Sequence, residues 1–245
     1  MKPISRTQPD DHPDKPVQSY FRKIHKGYQA AMERKTIAGL HERIKREIEP
    51  RLRGLVLDIG SAGKPDYGSN PTRTIVSLDY VFECFGDAGK KDVLNLAGDI
   101  RALPLKDAAV DAIVIQFVIH HLTGDFLEKN LGHVRRAIAE SARVLKKGGR
   151  IFIIDSMVPA ILEAVERGSY IFSYSFLRAL GKPMVYFFSP GSFRRLLDRY
   201  GLRPEVALSV DWGDMTEASQ TLFPGFRLPL KYLPVKCMLV SAVKK

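Results

Sequence analysis

Three carboxylates, each at or just past the end of an apolar run, are the residues of this chain best placed to do chemistry. Asp58 lies in Gly54-Leu-Val-Leu-Asp-Ile-Gly-Ser-Ala-Gly63, Asp79 ends Thr74-Ile-Val-Ser-Leu-Asp79, and Asp99 follows in Ala97-Gly-Asp-Ile-Arg-Ala-Leu-Pro-Leu105. An apolar run closing on an acid and glycines has the form of a buried strand that delivers its C-terminal turn to a nucleotide. Gly60 and Gly63, with Ser61 and Ala62 between them, lack or flank the Cβ that keeps a backbone away from a ligand. A carboxylate about 20 residues further on is placed to accept hydrogen bonds from ribose hydroxyls. The turn alone would fit any α/β protein; the ordered series of acids is what points to a nucleoside cofactor. A pair of imidazoles, His120 and His121, closes the next apolar run, Val110-Asp-Ala-Ile-Val-Ile-Gln-Phe-Val-Ile-His-His-Leu122. Histidine suits proton removal from a hydroxyl, phenol or ammonium near neutral pH, although either ring could equally serve to shape a pocket.

The elements that must position these groups alternate between strand and helix. Arg143-Val-Leu-Lys-Lys-Gly-Gly149 reads as a helix C-terminus with cations near its end and glycine past it, leading into the strand Arg150-Ile-Phe-Ile-Ile-Asp155. In this order the pieces resemble the class I S-adenosylmethionine-dependent methyltransferases, in particular the group that includes the ubiquinone/menaquinone-type and small-molecule methyltransferases. The resemblance is good over roughly residues 50 to 155 and loose elsewhere. It implies an α/β fold, a Rossmann-like, mostly parallel seven-stranded sheet with helices on both faces, completed by late strands near Glu205 to Val210 and Lys236 to Val243. It implies S-adenosylmethionine as cofactor. Asp58 and the turn Gly60, Ser61, Ala62, Gly63 would then border its methionine part, and Asp79 followed by Tyr80 would take the ribose. Asp99 with the amide of Ile100 would read the adenine edge, and Gln116 would lie beside the sulfonium. His121, or less favourably His120, would be the general base at the boundary with the acceptor.

One departure from the family pattern is plain. Gly63-Lys-Pro-Asp-Tyr-Gly-Ser-Asn-Pro-Thr72 holds two prolines and three glycine or asparagine turn formers, which is loop chemistry. The first crossover helix is expected to be lost or reduced to a turn, and with it the N-terminal dipole that would face the cofactor.

Around that domain, residues 1–18 carry Pro3, Pro9, Pro13 and Pro16 among polar residues and read as a disordered tail. Residues 19–50 place Phe21, Ile24, Tyr28 and Met32, then Ile37, Leu40, Ile44 and Ile48, at helical spacing with cations between them, an amphipathic extension stopped by Pro50. The methyltransferase domain would take 51–245. Within it, residues 157–190 read as an insertion rich in Tyr and Phe, from Tyr170 to Phe188, expected to act as a substrate lid. A helix follows from Ser189-Pro-Gly-Ser, ending before Gly201.

Composition narrows the rest. A chain of 245 residues, 45% hydrophobic, suffices for a single core. Two cysteines, Cys84 and Cys237, make neither a metal-ligand pair nor a disulfide framework, so no metal is expected. No signal peptide is evident and no apolar run reaches the roughly 20 residues of a membrane span, which points to the cytoplasm. The net charge of +11 would attract phosphate, anionic lipid or nucleic acid, or merely solubilise the surface. No RNA-recognition signature accompanies it. The favoured reading is methyl transfer to a small, aromatic or lipophilic acceptor carrying an anionic group, with peripheral membrane contact as a competitor at the same basic surface. The alternatives are an RNA or protein acceptor, motivated by charge, and a non-catalytic cofactor-binding protein, motivated by the missing helix. Neither the acceptor atom nor the oligomeric state is legible.

Overall fold

The computed structural model describes residues 35–81, 85, 92–210 and 234–245. The expected tail, the helical positions Phe21 to Met32 and Cys84 lie outside them. The chain enters through helix α1 (Lys35–Ile48), whose Leu40, Ile44 and Ile48 recur every four residues and are buried, the spacing that stacks side chains on one helical face. Pro50 sits in the short 3-10 turn Glu49–Arg51 that ends it.

The strands follow as β1 (Gly54–Ile59), β2 (Arg73–Asp79), β3 (Val93–Ala97), β4 (Val110–Gln116) and β5 (Leu145–Met157). All pair in parallel. β6 (Leu202–Val210) and β7 (Lys236–Lys244) complete a seven-stranded sheet of order β3-β2-β1-β4-β5-β7-β6, with β7 antiparallel to both β5 and β6. The strand order reverses between β1 and β4. In open α/β sheets such a reversal leaves a crevice at the carboxyl ends of the strands, where ligands bind. Pro204 is tolerated because β6 is an edge strand with a register shift at that residue.

One face of the sheet is covered by α2 (Leu127–Val144), α3 (Ala160–Ala179) and α4 (Pro190–Arg199), through Leu131, Val134, Ile138, Tyr170, Phe193 and Leu197. Ser189 caps α4, its hydroxyl accepting the Ser192 amide at 3.3 Å, with Pro190 in the first turn and Gly201 at φ +73° beyond the end. α2 stops at Val144, earlier than the Lys-Lys-Gly-Gly signal suggests. The chain is already extended at Leu145 and turns at Gly148, φ +75°, so the β4–β5 register jumps from Val110↔Leu145 to Ala112↔Arg150. The segment read as a lid insertion is mainly the 20-residue helix α3. Its aromatics divide, Tyr170 entering the core and Phe172 and Phe176 facing out.

The opposite face explains how the fold tolerates the missing crossover helix. Residues 60–72, between β1 and β2, contain only turns and bends. Tyr67 from this loop is 1% exposed and packs with Leu40, Ile44 and Ile48 of α1 over Val56, Ile75, Val114 and Phe152. Arg73 ties the pieces together. Its Nη2 donates to Glu49 at 2.7 Å, its Nε to the Gly68 carbonyl at 2.7 Å, and its guanidinium lies 5.7 Å from the Tyr67 ring centroid. The volume a crossover helix would fill is thus taken by a helix from outside the alternating pattern and by one large side chain.

Ile44 is wholly buried at this contact. Ile44→Ala is expected to destabilise the protein by about 2–4 kcal/mol through lost burial plus the cavity left behind, read as a lowered urea midpoint; a change below about 1 kcal/mol would mean that α1 contributes little to the core.

Candidate active site

The predicted acids stand at the C-terminal ends of β1 and β2 and just past β3, and the turn after β1 is the most constrained backbone in the region. Gly60, Ala62 and Gly63 have φ of +92°, +53° and +76°, values that glycine accepts freely and alanine does not. A Cβ on Gly60 would lie 2.3 Å from Val118 Cγ2, and one on Gly63 would lie 2.9 Å from Asn95 Oδ1. The Gly60 amide donates to the Leu78 carbonyl at 3.0 Å and the Gly63 amide to the buried Ser77 hydroxyl at 3.1 Å, which also bonds Ser61 Oγ at 3.1 Å. β2 therefore holds the turn at both ends.

Asp58 is 2% exposed. The Tyr67 hydroxyl donates to its Oδ2, while Oδ1 is buried with no hydrogen-bond partner. Burial pushes its pKa up to about 6 against the pull of the Ser61 and Tyr67 hydroxyls, with the charges of Asp66 and Asp79 adding to the rise. Asp79 accepts the Val81 amide at 2.9 Å. Burial also raises its pKa, opposed by the amides of Val81, Ala62 and Tyr80. Asp58, Asp79 and the turn are thereby one electrostatic unit.

Asp99 adjoins it, since the Gly98 amide donates to the Asp79 carbonyl at 3.0 Å. Its carboxylate accepts the Arg101 amide at 2.8 Å and a forked pair from Arg101 Nε and Nη2, at 3.0 and 2.7 Å. The Arg101 guanidinium in turn lies 5.9 Å from the Tyr80 ring, so Tyr80, Asp99 and Arg101 form one group beside the buried Ile100. α2 fixes the loop: Glu140 accepts the Leu103 amide at 2.9 Å, and Arg143 donates to the carbonyls of Leu103 and Leu105 at 3.0 and 2.8 Å.

Gln116, at the end of β4, reaches the other way. Its Nε2 is 3.1 Å from His41 Nδ1, and that nitrogen is 2.6 Å from Asp66 Oδ2. His41 and Asp66, from α1 and from the irregular loop, are absent from the sequence reading because nothing in their spacing marks them.

The two histidines have different surroundings. They lie in the 3-10 turn Ile119–His121, reached through Phe117 at φ +54°. His120 Nδ1 is 2.5 Å from Oδ1 of Asp155, the buried acid at the end of β5. Asp155 Oδ2 also accepts the Ile119 amide at 2.8 Å, and Oδ1 the Ser156 amide at 2.7 Å. Asp155 is the third residue missed. It was visible as the acid ending an apolar run, but its partner lies 35 residues away. Burial first, and the His120 charge second, hold the pKa of His121 well below the ordinary histidine range, which keeps it neutral and a weak base. A small pocket beside His120 and Asp155 is lined by Met157, Tyr186, Phe188 and Phe193. Tyr186 belongs to the expected lid and donates its amide to the His120 carbonyl at 3.0 Å. Among the described residues no cluster of acids, histidines and cysteines could hold a metal ion.

Comparison with known proteins bears on this site directly. Residues 58–153 match a family model described as a methyltransferase domain. Over 116 residues the chain is 30% identical to a ubiquinone/menaquinone biosynthesis C-methyltransferase of Caulobacter sp. (strain K31), covering 46% of this chain and 42% of that protein. The chain spans between 42% and 58% of the length of several curated relatives it matches. Among solved structures, the Burkholderia thailandensis 1,6-didemethyltoxoflavin-N1-methyltransferase, with 1,6-didemethyltoxoflavin and S-adenosylhomocysteine bound, superposes with a TM-score of 0.60 at 14% identity over 98% of this chain and 93% of that one. The YcgJ protein of Bacillus subtilis gives 0.56 at 20% identity over 85% of this chain and 99% of that one.

The raised pKa of Asp58 fixes a sign. A carboxyl that is a weaker acid folded than unfolded contributes most below its unfolded value near 3.8 and destabilises progressively as pH rises to about 6. Asp58→Asn should therefore gain on the wild type by about 2–3 kcal/mol over that window, then hold a constant difference above it. Parallel pH–stability curves from urea denaturation would show instead that Asp58 ionises normally.

Proposed function

We propose that this chain, whose residues 58–153 match a methyltransferase-domain model, acts as a class I S-adenosylmethionine-dependent methyltransferase, that it transfers a methyl group from S-adenosylmethionine to a small acceptor with an apolar body, and that His120 takes the proton the acceptor gives up. The cofactor fits the residues present. The turn Gly60–Gly63 leaves no room for side chains on its glycines, and the orphaned, buried Oδ1 of Asp58 suits a cation such as the α-ammonium of the methionine part. Asp79 and Tyr80 would take the ribose. Asp99 and the Ile100 amide would take the adenine edge; a carboxylate has lone pairs beyond those that Arg101 engages. Gln116 would border the sulfonium, with His41 and Asp66 fixing its amide. When bound, the cofactor supplies an electrophilic methyl carbon.

Little covalent machinery is required of the protein, because an in-line displacement needs mainly alignment and exclusion of water. The observation that carries the proposal is the pairing of His120 with the buried Asp155 at the tips of adjacent strands β4 and β5. An acid bonded to Nδ1 fixes the ring and its tautomer and leaves Nε2 as the proton-accepting atom. Asp155 itself is oriented by backbone amides, so the ring cannot swing freely. His121, the sequence's first choice for base, is the histidine whose surroundings disfavour taking a proton. The neighbouring Met157, Tyr186, Phe188 and Phe193 offer an apolar wall, which supports a lipophilic or aromatic acceptor over RNA. The loss of the first crossover helix gives no support to a non-catalytic role, since α1 and Tyr67 keep the turn packed.

The test has two arms. Calorimetry should detect S-adenosylhomocysteine binding, weakened roughly 10- to 100-fold in Asp79→Ala, since a hydrogen bond to a charged acceptor contributes about 1.5–3 kcal/mol. Unchanged affinity would remove Asp79 from the site. Mass spectrometry of an acceptor pool incubated with protein and S-adenosylmethionine should identify the methylated product. On that acceptor His120→Gln is expected to lower kcat by about 10²- to 10⁴-fold with cofactor affinity intact. Full turnover by His120→Gln would refute the assignment of the base.

A further inference from the structure

The outward face of α3 has the polarity of an interior. Ile161, Val165, Phe172 and Phe176 are 73%, 61%, 74% and 65% exposed, and at 3.6 residues per turn they lie on a single stripe along the helix. Ile171 and Leu180 extend it, and Ala164, Gly168 and Ser175 fill the gaps without charge. A surface helix ordinarily turns its charged side to water. Here the acids turn inward instead. Glu163, 4% exposed, accepts the Ser189 amide at 2.9 Å and the Ser192 hydroxyl at 2.6 Å, and Glu166 accepts the Phe187 amide at 3.4 Å. What borders the stripe on the outside is cationic: Arg167 and Arg178 along one flank, and Lys182 just past the helix end, all exposed.

We propose that this face docks the protein on an anionic lipid bilayer. An exposed apolar patch of this extent marks an interaction surface, and two features choose a bilayer as the occupant. The stripe is the convex ridge of a single helix with large apolar tips at Phe172 and Phe176, a shape that enters the boundary between headgroups and acyl chains. Among the described residues its border carries Arg167, Arg178 and Lys182 against one exposed carboxylate, Asp125, which Tyr174 of the same helix bonds at 3.0 Å, and this cationic excess is complementary to phosphate headgroups that long Arg and Lys side chains reach while their stems stay in apolar surroundings. A second copy of the chain would instead set Arg167, Arg178 and Lys182 against their own counterparts, on molecules of net charge +11 each. The inner side of the same helix supports the candidate pocket. Tyr170 donates to the Gly124 carbonyl at 2.7 Å, and Tyr186, which donates its amide to His120, also reaches Glu163 at 3.4 Å. An apolar acceptor dissolved in the bilayer would thus meet the helix whose inner side contacts the pocket wall; that last consequence rests on the acceptor reading above, whereas the docking itself does not.

The test is sedimentation of the full chain with vesicles of phosphatidylcholine alone and of phosphatidylcholine with phosphatidylglycerol. The wild type should sediment with the anionic vesicles and far less with the neutral ones. Phe172→Ser/Phe176→Ser should lower the partition coefficient by about tenfold or more, because each removes a large buried apolar area from the membrane-bound state, and Arg178→Glu/Lys182→Glu should remove the preference for phosphatidylglycerol. Both variants change only exposed residues and should bind S-adenosylhomocysteine as the wild type does, so failure of docking and failure of the cofactor assignment are separate readouts. The proposal is overturned if the wild type ignores anionic vesicles, or if the double Phe variant sediments with them undiminished. It is equally overturned if ultracentrifugation finds a dimer that the Phe substitutions dissolve while vesicle binding stays unchanged.

Discussion

The hydrogen bond from the Tyr67 hydroxyl to Asp58 is the constraint around which the cofactor side of this structure is arranged. A carboxylate at the end of a central strand, almost wholly removed from water, is costly unless its oxygens are bonded. The protein satisfies one oxygen with a tyrosine that is itself buried. Tyr67 can reach Asp58 only because the chain between β1 and β2 is a loop; a regular crossover helix would carry that position away along its axis. The loop in turn leaves a face of the sheet to be covered, and α1 covers it, locked by Arg73 between Glu49 and the Tyr67 ring. One polar contact thus accounts for an irregular loop, a borrowed helix and a buried arginine.

From this follows a division of the strand tips. Asp58 and Gln116 point to the side of α1, where Tyr67, Asp66 and His41 meet them. Asp155 points to the opposite side, where His120 and the aromatic wall lie. Alternation along a strand sends successive side chains to opposite faces, so a pattern of single residues at strand ends suffices to build a cationic-ligand side and an apolar, proton-accepting side across one sheet.

Much of this was legible in the sequence, and the remainder failed for identifiable reasons. β1, β2, β4 and β5 are interior strands buried on both faces, which makes them continuous apolar runs that are easily found. The absence of the first helix was plain from Pro65, Pro71 and their neighbouring glycines. The acids were found because each stands where an apolar run stops. By contrast, α3 is apolar on its outward stripe as well as at Tyr170 and Leu177, so its helical period is blurred and it read as an aromatic insertion. The pairs His120–Asp155 and Gln116–His41, 35 and 75 residues apart in the chain, exist only through sheet order. No local pattern could have chosen between His120 and its neighbour His121.

The two sides are not independent. Gly60 has room for no side chain because Val118, two residues past Gln116, occupies the space a Cβ would need. Val118 is placed there by Phe117, whose positive φ bends the chain sharply out of β4, and the same bend brings the backbone of Ile119 and His120 onto Asp155. Unfavourable backbone angles of this kind persist only where the surroundings hold them. Here they are held by a strand ladder on one side, where the Phe117 amide donates to Ile154, and by a buried carboxylate on the other. The glycine turn and the histidine turn are therefore packed against each other, and neither can shift without displacing its neighbour. A fixed distance between the group that would hold a methyl donor and the ring that would relieve the acceptor of its proton is what an in-line transfer asks of a protein, and in this chain a glycine and a strained phenylalanine set it.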